Sequence, residues 1–191
     1  MRLFLILLAT ILSACSTRSD AFLGSVELTP NAAIEIPSGS KLGYPVSARQ
    51  LITAHFRGRS QVFEAYVSVT PDKILMIGFG PLGNRLLTVT ATDRGINSEL
   101  APSVPAFFRP EIMLADFVIV YWPASEVRRG LKGSEASLHD SPKERRIEIA
   151  GNELVRVTYD SPHGDRWPEL AHLENFTYGY ELDLQSKVIG H

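Results

Sequence analysis

The segment that most resembles a cofactor site is Gly78-Phe79-Gly80-Pro81-Leu82-Gly83, which matches the dinucleotide fingerprint G-x-G-x-x-G. That fingerprint works only when a helix follows the glycines, because the helix N-terminus holds the pyrophosphate. Here Asn84–Thr90 follows, and its alternation and β-branched residues favour a strand. Pro81 also removes an amide donor from the loop. The motif therefore predicts a glycine-rich hairpin loop with an exposed Leu82, and not a nucleotide site.

Residue types that serve catalysis and metal binding are present, but their spacing is not that of known sites. No histidine lies at a helical spacing from another potential metal ligand in a recognisable metal-binding pattern. The histidines are His55, His139, His163, His172 and His191. No Gly-x-Ser-x-Gly nucleophile elbow occurs. We expect no enzyme, no metal and no cofactor. A thioesterase or acyltransferase would need a nucleophile, a base and an orienting group within hydrogen-bond reach.

The single cysteine, Cys15, has a distinctive position. Arg2 gives a basic start, Leu3–Leu12 is apolar apart from Thr10, and the small residues Ser13-Ala14 come directly before Cys15. The apolar run is shorter than the roughly 20 residues that span a bilayer, which indicates a secretory signal. An aliphatic residue, two small residues and a cysteine resemble a bacterial lipoprotein signal. The alternative is an ordinary signal peptide with a chance cysteine.

The lipoprotein resemblance implies cleavage before Cys15, with lipid, including palmitate, on its thiol and on the new amino terminus. A single acyl chain holds a protein to a membrane only marginally, so three chains would make the attachment permanent. Position 16 is Ser where enteric inner-membrane lipoproteins carry Asp, and this similarity points to the periplasmic face of the outer membrane. The predicted organisation is a signal peptide at 1–14, a tether at 15–21 and one domain at 22–191.

Length and composition bound the remaining function classes. A chain of 191 residues suits one domain with a real core. One cysteine excludes an internal disulfide and a cysteine-based zinc site. Lys plus Arg is 19 and Asp plus Glu is 21, so the chain has no overall basic field to attract nucleic acid.

Strand patterns dominate the domain, with two helices in its middle. Three successive strands with tight connections form the antiparallel meander that we expect: Gln61–Thr70, Lys73–Phe79 and Asn84–Thr92. The other predicted strands are Leu51–Phe56, Arg145–Ala150, Glu153–Tyr159 and Phe176–Leu184, with Gly151-Asn152 as a hairpin turn. The predicted helices are Glu111–Tyr121, whose end taken alone is also typical of a strand, and Ser125–Leu131. The stretch from Pro30 to Pro45 is expected to be irregular or to form short edge pieces.

Several predicted strands carry apolar residues on both faces. Ile74 and Met76 alternate with Leu75, Ile77 and Phe79. Such a sheet needs cover on both faces, or an apolar cavity on one. The expected fold class is mainly β with a few helices (α+β), as a curved antiparallel sheet or half-open barrel covered by short helices. A sandwich core is the alternative.

The order of short motifs resembles a family of uncharacterised bacterial lipoproteins, a domain of unknown function, over about Val62 to Leu184. The residues that carry it are Cys15, Pro81 to Leu87, Leu114-Ala115-Asp116, Tyr121-Trp122-Pro123, Arg146-Ile147, Val157-Thr158-Tyr159, Trp167, Leu173-Glu174-Asn175 and Gly179-Tyr180-Glu181-Leu182. This family is similar in fold to the outer-membrane lipoprotein receptor and the periplasmic carrier of the Lol system. The resemblance implies a half-open barrel whose apolar concave side is closed by helices. It also implies an association with aryl polyene biosynthesis genes.

These expectations lead to a lipid-anchored protein that holds an acyl chain or polyene lipid in an apolar cavity. The candidate lining residues, for which ordinary core packing is the alternative role, are Phe63, Val67, Met76, Phe79, Leu87, Val89, Val118, Trp122 and Tyr180. Leu82 is the candidate for a membrane-facing loop, a feature that the carrier resemblance implies. The alternative function is a structural or assembly lipoprotein that binds a periplasmic protein partner without a ligand.

Overall fold

The computed structural model describes residues 22–105, 107–163 and 167–190. The predicted signal peptide and tether, including Cys15, lie outside the described residues. Within them the strands are β1 (Phe22–Thr29), β2 (Ala32–Pro37), β3 (Val46–Phe56), β4 (Arg59–Thr70), β5 (Lys73–Phe79), β6 (Arg85–Thr92), β7 (Gly95–Leu100), β8 (Ala136–Ser141), β9 (Glu144–Ile149), β10 (Asn152–Tyr159), β11 (Leu170–Asn175) and β12 (Tyr180–Gly190). The helices are α1 (Pro110–Tyr121) and α2 (Ala124–Gly130), and a 3-10 turn spans Gly39–Leu42.

Ten of these strands form one antiparallel sheet in the order β7-β6-β5-β4-β3-β12-β11-β10-β9-β8. It consists of two meanders, β3 to β7 and β8 to β12, joined where the first strand of one pairs with the last strand of the other. The sheet is curved and not closed, with β7 and β8 as its edges among the described strands. This architecture confirms the predicted class of a curved antiparallel sheet covered by short helices.

The concave face of the sheet is covered by α1, α2 and the separate β1–β2 hairpin. Alternation along β4 turns Ala65, Val67 and Val69 into the core, whereas Tyr66 and Ser68 lie on the outer face. Helix α1 packs against β1, β2, β6, β7 and β11. Ten of its twelve residues are buried, on all sides of the helix, as expected for a helix in the middle of a core. No helix among the described residues is long and apolar enough to cross a membrane.

The predicted meander and both helices are confirmed. The predicted strand Lys73–Phe79 coincides with β5, and both predicted helices agree with α1 and α2 to within one residue at each end. The predicted hairpin in the second meander is also present, but its turn residues are Ala150-Gly151, both with positive φ, and Asn152 already pairs with Ile149 in the ladder. Positive φ at both positions is the feature of a type I′ hairpin turn.

The prediction of one strand over Phe176–Leu184 is wrong, because a turn separates β11 from β12 inside that segment. Asn175 pairs with Tyr180 across the turn, and the amide of Gly179, whose φ is 68°, donates to the Asn175 carbonyl at 2.8 Å. The Asn175 side-chain oxygen accepts the amide of Tyr178 at 3.1 Å. Alternation of aromatic and polar residues continued through the turn and concealed it.

The segment from Pro30 to Pro45 is more regular than expected. It contains all of β2 and the 3-10 turn, and Ser38 and Gly39 sit against the core. Of the described strands, β1, β7, β8 and β11 were not predicted. Three of these have only six residues, and β7 and β8 carry mostly half-buried or exposed side chains, so their alternation signal is short and weak.

Candidate functional site

The predicted cavity residues gather around α1, with one exception. Val67, Met76, Leu87 and Val89 are buried on the concave face, and Val118 and Trp122 are buried in α1 and at its end. Phe63 and Tyr180 are partly buried and pack against the same core.

Phe79 lies on the other side of the sheet. It alternates with the buried Gly78 and pairs with the exposed Glu64, so it is placed on the outer face. Leu82 lies in the loop between β5 and β6 and is 94% exposed. The predicted hairpin loop with an exposed leucine at this position is therefore present.

The space that the sequence left open for a ligand is filled by the chain itself. Large side chains of α1 such as Ile112, Leu114 and Ile119 are fully buried against the sheet. Two pockets occur among the described residues, and of the predicted lining residues only Leu87 borders either of them. One, of about 370 Å³, is lined by Thr70, Asp72, Lys73, Thr92, Asp93 and Arg94. The other, of about 150 Å³, is lined by Arg85, Leu86, Leu87, Glu99, Leu100 and Ala101. A ligand on the concave face would therefore replace part of α1.

The C-terminal half of α1 is fixed by a buried arginine on β9. The Arg145 side chain is 2% exposed, and its Nη1 donates to the carbonyls of Ile119 at 2.6 Å and Trp122 at 2.9 Å. Its Nε donates to Asp140 at 2.7 Å, so the buried charge is paired. The last carbonyls of a helix have no partner within the helix, and Arg145 supplies one.

Two further donors hold the same end of α1. The Tyr159 hydroxyl donates to the carbonyl of Val120 at 3.0 Å, and burial raises the pKa of Tyr159 to about 12, so the hydroxyl keeps its proton. The indole N–H of Trp122 donates to the carbonyl of Ser38 at 3.3 Å. The C-terminal half of α1 is thus attached to the sheet on one side and to the segment after β2 on the other.

The middle of α1 has a single buried carboxyl, Asp116, which faces the β11–β12 turn. It accepts hydrogen bonds from the Tyr180 hydroxyl and, at 3.2 Å, from the Asn175 side-chain amide. Burial raises the pKa of Asp116 to about 7, and these two hydrogen bonds only partly oppose that effect. No local sequence signal shows that Asp116 is buried, so its role in the core could not be predicted from the Leu114-Ala115-Asp116 motif.

An aromatic group seals the side of α1 that faces β12. Tyr121 stacks on Trp167 with ring centroids 4.0 Å apart, and Phe117 packs against both rings. The Trp167 indole donates to Ser186 at 2.7 Å, and Ser186 also accepts from Gln50. Trp167 is one of the residues that carried the family resemblance.

A second polar group lies on the outer face, where three strands meet. His55 on β3 contacts Asp183 on β12 through Nε2 at 2.8 Å and Ser60 on β4 through Nδ1 at 2.8 Å. His172 on β11 contacts the other oxygen of Asp183 at 2.8 Å. Hydrogen bonds from His172 and His55 lower the pKa of Asp183. Sequence reasoning missed this group because only strand register brings the residues together.

The hydroxyl of Ser60, the imidazole of His55 and the carboxylate of Asp183 are the three groups that a serine-dependent hydrolase uses. Ionised Asp183 only accepts, which places a proton on His55 Nε2 and leaves Nδ1 to accept the Ser60 hydroxyl. However, the side chains of His55 and Asp183 are 36% and 51% exposed, and neither of the two pockets described above includes them. Charge that develops there would be in contact with bulk water, where electrostatic stabilisation by fixed groups is weak. We therefore interpret the group as a cross-strand link at the junction of the two meanders. Within the described ranges, no cluster of three or more acidic, His or Cys residues is placed to hold a metal ion.

Comparisons with known proteins identify a family and a weak structural likeness. A family model described as "Protein of unknown function (DUF3261)" matches residues 47–188, and this confirms the family of unknown function that the motif order indicated. No curated protein matches the sequence. A solved structure of a LolA superfamily protein from Nitrosomonas europaea is similar with a TM-score of 0.42 and 11% identity. The similarity covers 75% of this chain and 84% of that chain. Nothing about ligands follows from this likeness.

Removing Arg145 tests how strongly the end of α1 is held. We expect Arg145→Met to lower the free energy of unfolding by about 3–5 kcal/mol, because it leaves Asp140 and two helix carbonyls without their donor. Arg146→Met is the matched control, because the side chain of Arg146 is 38% exposed and its ion pairs with Glu144, Glu148 and Glu153 are partly accessible to water. Its effect should stay below about 1 kcal/mol. Urea denaturation measures both, and equal effects would contradict the role of Arg145.

Proposed function

Because the chain belongs to the family described as "Protein of unknown function (DUF3261)", we propose a function from its own residues. The protein is anchored through lipid on Cys15 to the periplasmic face of the outer membrane. It binds or transfers a lipid-like ligand, an acyl chain or a polyene, on the concave face of its sheet. The role is non-catalytic.

The observation that carries this proposal is that α1 and the concave face are mainly apolar where they touch, with Asp116 as the one buried carboxyl of the helix. Ten of the twelve residues of α1 are buried, on every side of the helix. An acyl chain that replaces the first half of α1 covers the apolar side chains of the sheet there, and it gains roughly 25 cal/mol per Å² of apolar surface that it buries. Apolar binding surfaces with few polar contacts are typical of lipid sites.

The first half of α1 is the part that a ligand can displace most easily. The helix begins at Pro110, and no side chain caps its N-terminus. The preceding segment contributes Phe107, which is 67% exposed and stacks on Phe56 with centroids 5.5 Å apart. The C-terminal half is held by Arg145 and is expected to stay in place.

The loops at one end of the sheet support a membrane contact by Leu82. The antiparallel order places the β5–β6 loop, the β11–β12 turn and the segment after β7 at this same end. Each presents an exposed apolar side chain: Leu82, Phe176 and Phe107. The described chain starts at the opposite end, since Phe22 pairs with Pro37 and Ser40 bonds to the β4–β5 turn at Pro71.

The tether limits how these two ends meet a bilayer. The seven steps from Cys15 to Phe22 reach at most about 25 Å when fully extended. The seven residues of β5, which separate the two ends, span about 23 Å. A nearly fully extended tether is therefore just long enough for Cys15 and Leu82 to contact the same membrane.

Changes at the lipidation site test the anchor and the membrane. We expect Cys15→Ala to move the protein from the membrane to the soluble periplasmic fraction, because the acyl chains have no attachment point. Ser16→Asp should keep the lipid but move the protein to the inner membrane in an enteric host. Density-gradient separation of the two membranes with immunoblotting measures both. Unchanged fractionation of Cys15→Ala would contradict lipid anchoring.

Native mass spectrometry tests the ligand directly. The full-length protein, purified from its own membrane, should carry one additional mass that is released on denaturation and identified as an acyl or polyene lipid. The expected reason is that the ligand occupies the concave face in place of the first half of α1 and stays bound during purification. A single protein mass, with no bound lipid, would contradict the proposal and favour the second function.

The second function is a protein-binding lipoprotein without a ligand, and the filled interior is the observation that favours it. Its expected signature is crosslinking from an edge strand to one stoichiometric partner. A photo-crosslinker at the exposed Asn97 on β7 or Ser137 on β8 reports on the two edges.

The non-catalytic role is tested at Ser60. A fluorophosphonate probe reacts with serine nucleophiles that a base activates. We expect no labelling of the purified protein, because the Ser60–His55–Asp183 group is open to water. Labelling of the wild type that Ser60→Ala abolishes would show an activated serine and overturn the non-catalytic assignment.

A further inference from the structure

Helix α1 is attached by different chemistry at its end and at its middle, and this difference points to a switch. We propose that the protonation state of Asp116 decides whether the first half of α1 stays seated on the sheet. The proposal deepens the proposed function, because the seat of α1 is the proposed ligand site.

The geometry makes Asp116 the polar link between α1 and the β11–β12 turn. Asp116 is 2% exposed and accepts from Tyr180 and Asn175. The Asn175 amide also contacts the Tyr180 oxygen at 3.1 Å, and the Asn175 carbonyl oxygen accepts from the amide of Tyr178. One side chain of α1 is therefore bonded to both strands beside this turn and, through Asn175, to the turn itself.

The groups that face Asp116 are neutral. They are Tyr180 on β12 and Asn175 on β11, and burial raises the pKa of Tyr180 well above its usual range. Helix α1 also packs on β1, β2, β6 and β7, and among the described residues none of these strands contributes a charge to the pKa of Asp116. The ionised carboxylate thus has two neutral donors and no cation. A buried charge without a counterion is strongly disfavoured.

The two halves of α1 consequently respond differently to pH. Arg145 keeps its charge at any physiological pH, so the C-terminal half stays attached. The carboxyl of Asp116 is neutral and compatible with burial at low pH. Once ionised, it is stabilised by water, which it reaches when the first half of α1 leaves the sheet. The concave apolar face is then uncovered for a ligand.

The direction of the pH dependence follows from the difference in the pKa of Asp116 between the seated and the open state. Burial raises the pKa of Asp116 from 3.8 to about 7 in the seated state. Seating of the first half is most favourable below pH 3.8 and loses stability as the pH rises toward 7. Between these values the opening equilibrium should increase about tenfold per pH unit, and above pH 7 it should level off.

Hydrogen exchange followed by mass spectrometry, corrected for intrinsic rates, tests this at pH 5, 6, 7 and 8. In the wild type we expect the opening equilibrium of residues 110–116 to rise about tenfold per unit up to pH 7. In Asp116→Asn it should be independent of pH. Glu111→Gln is the matched control, because it removes a carboxyl of the same helix that is partly exposed, and it should behave like the wild type. A pH-independent wild type, or the same slope in Asp116→Asn, would overturn the proposal.

Two further measurements keep the switch separate from the ligand. Tyr180→Phe removes a donor to the carboxylate, so it should move the upper limit of the transition to higher pH even if Asp116→Asn fails to fold. An unshifted transition in Tyr180→Phe would count against the switch.

Binding of cis-parinaric acid, read by fluorescence, should be stronger at pH 7 than at pH 5. Exchange that depends on pH and on Asp116, without probe binding, supports the switch and contradicts the lipid function. Probe binding with flat exchange supports the lipid function and contradicts the switch.

Discussion

Apolar side chains line the concave face of the ten-stranded sheet on strand after strand, and water cannot be left in contact with them. The sheet does not close into a barrel, so its edges cannot bring that face together. Helix α1 covers the concave face and excludes water from it, because nearly all of its residues are apolar and buried. Each Leu, Ile or Phe side chain that is fully buried between α1 and the sheet contributes roughly 1.5–3 kcal/mol to the free energy of folding. The α2 helix and the β1–β2 hairpin extend this cover, but α1 is the element that lies at its centre.

Apolar contacts alone do not fix the rotation or the depth of a helix on an apolar surface. In this protein, hydrogen bonds from buried polar groups fix both. Arg145 and Tyr159 reach the last carbonyls of α1, and Asp116 reaches Asn175 and Tyr180. The first attachment is a permanent charge with a paired carboxylate, whereas the second is a carboxyl with neutral partners. The same helix is therefore firmly held at one end and conditionally held in its middle. This asymmetry suits an element that uncovers a surface without leaving the protein.

The sequence predicted the parts of the fold whose signals are local. Alternation and turn residues located β4, β5 and β6, and apolar spacing between prolines located α1. The turn at Phe176–Gly179 was missed because alternation runs through it, and β7 was missed because an edge strand has little burial to reveal. The site was harder to predict. Asp116 and Asn175 are 59 residues apart, and Arg145 and Ile119 are 26 apart, so only the folded chain brings them together. Periodicity also says nothing about how deeply α1 sits, so the role of the candidate lining residues in binding a ligand stays a prediction. Lipidation of Cys15 and the outer-membrane location stay predictions from the sequence.

The central claim is that a lipid-like ligand takes the place of the first half of α1. The most direct test is hydrogen exchange of the wild-type protein at pH 7, measured with and without saturating cis-parinaric acid. The account predicts that the bound probe accelerates exchange in residues 110–116 and leaves the junction of β3 and β12 protected. Bound probe with unchanged or slower exchange in residues 110–116 would contradict it, because the ligand would then bind without displacing the helix.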